Sequence, residues 1–600
     1  MKKRKMMIPL LSLAVLFPSA SNTFASPNQP LSIDKVEFVG MDAPDTVEER
    51  SKMYSEASAI VTYNNGTQKT FPLEYKTLFQ PGDVINGKTA GAAYDANGNV
   101  ITNEAGKPYV STSPDSNTLL SVNGKSGKLY MVNHYEGMPS NTIGNMPKAM
   151  ALNTVEQDKE TGELTVTDVK PIDFSADGGI WTPCAGHLSP WNTHLGSEEY
   201  DPDAKAHEAN PEKSSVTQFA RNYYQDNTVI GNPYLYGHLP EVTVHPDGTS
   251  TAVKHYSMGR LSFENVVVAP DNRTVYYGDD GGYTMSFMYV ADKAKDLSAG
   301  TLYAAKWKQT SEKNGGSADL EWIKLGHATD AEIKKLAQTV KFSDIFETTA
   351  DAEYAKANGF KRVKAAGRDE WLKVKPGMEK AAAFLESRRY GALVGATSEF
   401  NKMETVEFNK ADNKVYMTLS TIGGGMTANP TDPVDDIHVS KINAGGIYEL
   451  SLASGQKDRD GDMIDSNYVA TKMAGLVLGE DLPTKDAAGN TANPDKISNP
   501  DNITYSEKMR TLFIAEDGHG HHNNYGWAYN VDTKKLSRIV SAPDGGEVTG
   551  IQAIDNLNGF IYLMAGSQNP GYAGYLSGLP SLGKSSENND DSDNTNKEDR

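Results

Sequence analysis

The stretch ENVVVAPDNRTVYYGDD (264–280) is an apolar strand, a polar turn and a second strand rich in aromatics, opened by an acid. Its Pro-Asp-Asn centre is hairpin-turn chemistry, and its Val and Tyr residues suit pleated strands. The same shape returns in TLLSVNGKSGKLYMVN (118–133), ETVEFNKADNKVYMTLS (404–420), DNITYSEKMRTLFIAED (501–517) and EVTGIQAIDNLNGFIYLMAG (547–566). One hairpin repeated at irregular spacing predicts an all-β chain, with hairpins set radially around an axis as a β-propeller. A β-sandwich of the same hairpins is the competing arrangement.

An acid stands at the opening of every hairpin: Asp115 with Asn117, Glu264, Glu404 with Glu407, Asp501 with Asn502, and Glu547. Equivalent strand ends meet near a propeller axis. Acids gathered there repel one another unless cations neutralise them, and hard oxygen ligands suit calcium. Taken singly, each is an ordinary solvated turn residue. Cys184 lies in TPCAGHLSPWNTHLGSEEY (182–200), a loop that ends near Glu198 and Glu199. A thiolate prefers a transition metal, so cysteine with carboxylates points to iron or zinc beside calcium. A small buried hydrophobe is the alternative reading of Cys184.

Other motifs are weaker. Asp458-Arg-Asp-Gly-Asp462 lacks EF-hand spacing and reads as an acidic surface turn. His519-Gly-His-His522 is expected to be exposed in its glycine-rich loop. No Gly-x-Ser-x-Gly elbow, His-Glu-x-x-His pair or phosphate-cradling Gly-x-x-x-x-Gly-Lys loop occurs.

Composition narrows the partners. The 600 residues carry 78 acids against 58 bases, a net charge of −20, which argues against a nucleic-acid partner. The single cysteine excludes an intramolecular disulfide. Lys2 to Lys5, the apolar run Met6 to Phe17 and Thr23-Phe24-Ala25 read as a cleaved signal peptide over 1–25, so an exported protein is expected. No segment is long and apolar enough to span a membrane. Residues 26–110 read as an N-terminal extension with first strands, and 111–329 as the first part of the propeller. Helical spacing over 330–393 predicts a helical insertion. Residues 394–583 read as the second part of the propeller, and 584–600 as a disordered acidic tail. A monomer is expected.

At this point a family resemblance emerges. CAGHLSPWNTHLGSEE, GRLSFENVVVAPDNRTVYYGDD (259–280), GATSEFNKMETVEF (395–408), NPDNITYS (499–506), EVTG (547–550) with QNPG (568–571), and VNHY (132–135) resemble, in order, motifs of the PhoX-type alkaline phosphatases. The resemblance implies a six-bladed propeller that hydrolyses phosphate monoesters with an iron and calcium cluster. It implies Cys184, Glu264 and Glu407 as ligands of that core. Asp115, Glu198 or Glu199, Asp501 and Glu547 are acids at matching positions. Asn133 and His134 fall in a partly matching motif and are candidates to bind substrate. Two departures stand out. The family arginine is Thr405 here, so Lys402, Arg388 or Arg389 is expected to supply the positive charge, with Lys402 and Glu407 in catalysis. The acid of the family's Asn-His-Glu-Tyr is displaced to Glu136, which strand alternation turns to the opposite face. Phosphodiesters on the same metals, or a calcium-stabilised propeller without catalysis, are the alternative functions.

Overall fold

The computed structural model describes residues 31–122, 128–137 and 145–580. The expected signal peptide, the Asn-Gly turn at 123–124 and the acidic tail lie outside them. The five hairpins form. Their first strands are Pro114–Val122, Val266–Val268, Met403–Asn409, Pro500–Ser506 and Glu547–Leu557, and each is the edge strand of its sheet.

An open edge leaves donors and acceptors without partners. Here each edge meets the next. Asn265 bonds both backbone groups of Val406, at 2.7 and 3.3 Å. Thr405 Oγ1 donates to Asp501 O at 2.6 Å and accepts from Ile503 N at 2.9 Å. Asn502 Oδ1 accepts from Gly550 N at 2.9 Å. Gly550 has φ +58°, and a Cβ there would strike the Asp115 carbonyl and the Asn117 side chain. The hairpins therefore turn their first strands toward one axis, a β-propeller-like arrangement.

Four sheets have four antiparallel strands. A fifth has nine: two hairpin-led runs joined where Ser317–Thr329 pairs with Val469–Leu478. One sheet has no counterpart among the predicted hairpins. It begins with the two-residue strands His187–Leu188 and His194–Leu195, which flank the turn after Cys184. The last sheet is completed by Glu74–Phe79 from the N-terminal region, paired to Tyr572–Ser577. Apolar side chains fill the spaces between successive sheets. Leu120, Val132 and Val242 pack between the first two, and Tyr416, Ile503 and Ile514 between later ones. Leu119, Met131, Met564 and Tyr575 join the last sheet to the first.

The insertion is a mixed unit rather than a purely helical one. Helices Asp330–Thr339, Glu379–Leu385 and Ser387–Val394 flank a three-stranded sheet of Phe346–Thr349, Arg368–Val374 and Lys361–Ala365. The helical stretches carry periodicity, whereas KRVKAAGRDEWLKV is a short, charged hairpin that periodicity alone does not reveal. The His519–His522 expectation is also corrected in part. His521 is buried, 2.8 Å from Glu516 and 3.1 Å from Asn493 O, while His519 and His522 are exposed.

Candidate metal centre

The acids are aimed by bulges. In three hairpins the strand register slips across the acid, between Pro114 and Asn117, Met403 and Val406, and Pro500 and Ile503. A bulge adds a residue to one strand and redirects its side chain. Asp115, Glu404 and Asp501 occupy those positions. Glu264 reaches the same place from the residues just before Val266–Val268.

Three overlapping groups result: Asp115, Glu136 and Cys184; Cys184, Glu199 and Glu264; and Glu264, Glu404 and Asp501. Within each group the donor atoms lie within 4.8 Å of one another. Cys184 Sγ is 2.6 Å from Asp115 Oδ2 and 3.1 Å from Glu264 Oε2. Its loop is held on both sides: Cys184 N donates to Ser197 Oγ at 2.9 Å, and His134 Nδ1 meets the Cys184 carbonyl.

Among the described residues, one cation makes ion pairs with these acids. Lys402, at φ +52°, places its Nζ 2.6 Å from Asp280 and 3.0 Å from Glu404. Burial, reinforced by neighbouring carboxylates, pushes Glu199, Glu264 and Asp501 well above the carboxylate range. Asp115 is also pushed up by burial and by Glu136. Glu404 rises to about 8, through burial and Asp280. Burial and the charges of Asp115 and Glu264 push the Cys184 thiol up as well. Asp280 goes the other way: burial would raise it, but Lys402 with hydrogen bonds from Glu199 and the Gly281 amide outweighs that. Buried acids with so little compensating charge fit cations, and a mixed oxygen and sulfur donor set fits a transition metal beside a hard one.

The candidates from sequence separate clearly. Asp115, Cys184, Glu199, Glu264 and Asp501 come together, with Lys402 beside them. Glu407 does not join them. Three residues beyond Glu404, it lies 3.2 Å from His187 and accepts the Phe408 and Tyr505 amides. Glu198 faces away from Glu199, as neighbours in extended chain do. It is 2.7 Å from Lys254 and accepts the Trp181, Gly237 and His238 amides. Glu547 is half-buried outside the three groups, raised by burial and by Asp517.

Asn133 is taken up by Ser116 O at 2.9 Å and by Asn117. His134, which burial lowers to about 4, contacts His194 at 2.7 Å and Cys184 O. Both are thus walls of the centre. Arg388 pairs with Asp201 and lies 3.5 Å from Asp279, one residue behind the centre. Arg389 binds Glu370, Glu386 and Asp203. Thr405 is buried and joins adjacent edge strands through Asp501 O and Ile503 N.

Glu136 and Asp280 were absent from the site expected from sequence, and Glu404 was among the hairpin-opening acids while the ligand role went to Glu407. Glu136 follows the last residue of Lys128–Tyr135, so strand alternation no longer governs it. Asp280 ends the quoted GDD, and Glu404 opens its hairpin. Their positions at equivalent hairpin ends were the available signal.

A family model described as "Alkaline phosphatase PhoX" matches residues 172–571. Among solved structures, Pseudomonas fluorescens PhoX in complex with vanadate, a transition state analogue, is 18% identical, with 88% of this chain and 96% of that chain covered at a TM-score of 0.54. A putative 6-phosphogluconolactonase from Bacteroides uniformis is 11% identical, covering 86% of this chain and 97% of that one at a TM-score of 0.27. Trypanosoma rangeli sialidase is 9% identical, covering 84% and 58% at a TM-score of 0.32. No curated protein matches by sequence. The family model covers more than half of the chain and contains Cys184, Glu199, Glu264, Glu404 and Asp501, and the chain belongs to the alkaline phosphatase PhoX family.

Proposed function

We propose that this phosphatase is an exported enzyme that releases inorganic phosphate from phosphate monoesters at an iron and calcium centre on the propeller axis. The observation that carries the reading is the convergence of Asp115, Cys184, Glu199, Glu264, Glu404 and Asp501, with Lys402 paired to Glu404 and Asp280. Counting the two halves of the nine-stranded sheet separately gives a six-bladed reading of the topology. Cys184, Glu199 and Glu264 would hold iron, and Glu264, Glu404 and Asp501 would hold calcium. Such ions, when bound, neutralise phosphoryl charge and acidify water.

The chain's own contribution is positioning. Lys402 is 37% exposed, so its ammonium can meet a phosphoryl oxygen while Asp280 and Glu404 fix its direction. It replaces a bidentate guanidinium with a point charge. Glu136, held by Gln568 at 2.8 Å, borders the other end of the acid chain. Export rests on the reading of residues 1–25. Among the described residues, no helix is long and apolar enough to cross a membrane.

The test is elemental analysis of the purified mature protein with a p-nitrophenyl phosphate assay, before and after calcium chelation. Iron and calcium in the protein, and turnover that falls on chelation and returns with calcium, are expected. Calcium without a transition metal and without turnover would instead favour a binding propeller. Faster turnover of bis(p-nitrophenyl) phosphate than of the monoester would shift the activity to diesters.

A further inference from the structure

Lys402 pairs with acids of the centre, yet its direction is not set by them alone. Its φ of +52° lies in the left-handed region, which a residue with a side chain occupies only when its surroundings impose it. Its amide donates to the Gly281 carbonyl at 2.7 Å, and its carbonyl accepts Ser420 N at 2.9 Å. Just beside it, strand Gly282–Thr284 pairs with strand Phe400–Asn401. Asp280 and Lys402 leave this clamp at the same end, where their side chains meet at 2.6 Å. Strands this short do not hold a shape unaided.

The insertion supplies the support. Tyr283, in the middle of the clamp, is also left-handed, at φ +61°. Its carbonyl accepts Ala366 N at 2.8 Å, from the turn of the insertion's hairpin. Lys364 Nζ stands 3.8 Å from the centre of the Tyr283 ring and 2.7 Å from Asp432 Oδ1. Tyr283 OH donates to Asp432 Oδ2 at 2.9 Å, which closes a triangle of ring, ammonium and carboxylate. Gly425 lies against the same ring, since a Cβ there would come within 2.9 Å of it. The Lys364 carbonyl accepts Ser398 Oγ at 2.7 Å, so the hairpin is tied down as well. Each contact is modest alone, but three segments remote in sequence lock one ring.

We infer that Tyr283, Lys364 and Asp432 are positioning residues for the reaction: through the clamp they hold the Lys402 ammonium in the direction that meets a phosphoryl oxygen. Without this brace the ammonium is aimed for only part of the time, and the apparent affinity for phosphate falls by that fraction. The inference rests on the reading of Lys402 as the phosphate-facing cation.

Calorimetry should measure inorganic phosphate binding to the purified, metal-loaded protein and to its Lys402→Met, Lys364→Met, Lys364→Arg and double Lys402→Met, Lys364→Met variants. Lys402→Met should weaken phosphate about tenfold, the scale of one lost charge-assisted bond. Lys364→Met should weaken it about fivefold, and Lys364→Arg should keep most of the affinity. The double variant should bind no more weakly than Lys402→Met alone. Unchanged affinity in Lys364→Met, or losses that multiply in the double variant, overturns the inference and leaves the reading of Lys402 standing. No loss in Lys402→Met overturns both. Hydrogen exchange checks the brace without ligand: the Lys402 amide should exchange faster in Lys364→Met, and unchanged protection overturns the inference. Asp432→Asn serves in the same measurements if Lys364→Met does not fold. Binding is read apart from turnover, so a protein that bound phosphate but hydrolysed no ester would sink the phosphatase reading alone.

Discussion

Two buried charge clusters meet at consecutive residues, Asp279 and Asp280, and they are balanced in opposite ways. On the Asp279 side, under the insertion, acids face arginines. Arg388 pairs with Asp201, Arg260 lies 3.1 Å from Asp201, and Arg389 reaches Glu370 at 2.7 Å, Glu386 at 2.8 Å and Asp203 at 3.3 Å. Burial alone would raise Asp203 and Glu370, but Arg389 with Arg368 and the Lys205 amide on Asp203, and with Lys205 on Glu370, outweighs it and both are lowered. On the Asp280 side, Lys402 is the paired cation for a larger group of acids, and most of those are raised. The comparison separates structure from function. Around Arg389 the chain supplies its own counter-charge, while Asp279 at the seam is raised by burial with one oxygen lacking a hydrogen bond. Where the chain supplies too little, the cluster calls for ions from outside.

The largest expected effect comes from removing those ions. Chelation of the purified protein should bring phosphatase activity to background and lower Tm, because ligands that bind only the folded state stabilise it. Cys184→Ala should lose the transition metal while calcium remains, as elemental analysis would show. Unchanged iron in that variant would remove Cys184 from the ligands. The arginine side should ignore the chelator and respond to mutation instead. Arg389→Met leaves Glu386 without its ion pair, Glu370 with Lys205 alone and Asp203 with Arg368 alone, and should cost about 3–5 kcal/mol in urea unfolding, as broken buried pairs do. A loss below about 1 kcal/mol would mean that the cage is no more than a surface network.

The same contrast explains what could be read from sequence. The hairpins were legible because Asn, Asp, Gly and Pro turns between strands of Val and Tyr are local signals. The acids at their openings were legible as a repeat. Choosing between Glu404 and Glu407 was not, because a bulge at Met403–Val406 alters which side chain faces the axis, and bulges depend on tertiary pairing. Glu136 escaped for a related reason: alternation was applied past the strand's end. The sheet beginning at His187 was invisible because its inner strands have two residues each. The arginine cage joins residues 201–203 to 370–389, so no local pattern announces it.

Lys402 tests the borderline between the two clusters. It is a balancing cation and also the exposed one. Lys402→Met should lower kcat/KM by roughly 100-fold, the scale of one lost charge-stabilising donor. Lys402→Arg should restore part of the activity by returning a guanidinium. If Lys402→Met changed only Tm and left kcat/KM intact, Lys402 would belong with the structural arginines.

The smallest effect concerns another buried cation, His255, and it sharpens the distinction. His255 lies 2.8 Å from Glu241 and 2.9 Å from Asp330, where the insertion begins. Burial would lower its pKa, but its hydrogen bonds to Asp330 and Glu241 prevail and raise it from 6.5 to about 10. The folded protein thus keeps a proton that the unfolded chain releases near 6.5. The stabilisation is complete below that pH and is lost as pH rises through about 10. Melts of the wild type and His255→Gln between pH 6 and 10 should therefore converge with rising pH, the wild type losing its advantage of a few degrees. Because His255 is paired by protein carboxylates, the convergence should be the same with and without chelator. A chelator that abolished it would show that the balanced and unbalanced clusters act as one unit, and the contrast drawn at Asp279 and Asp280 would fail.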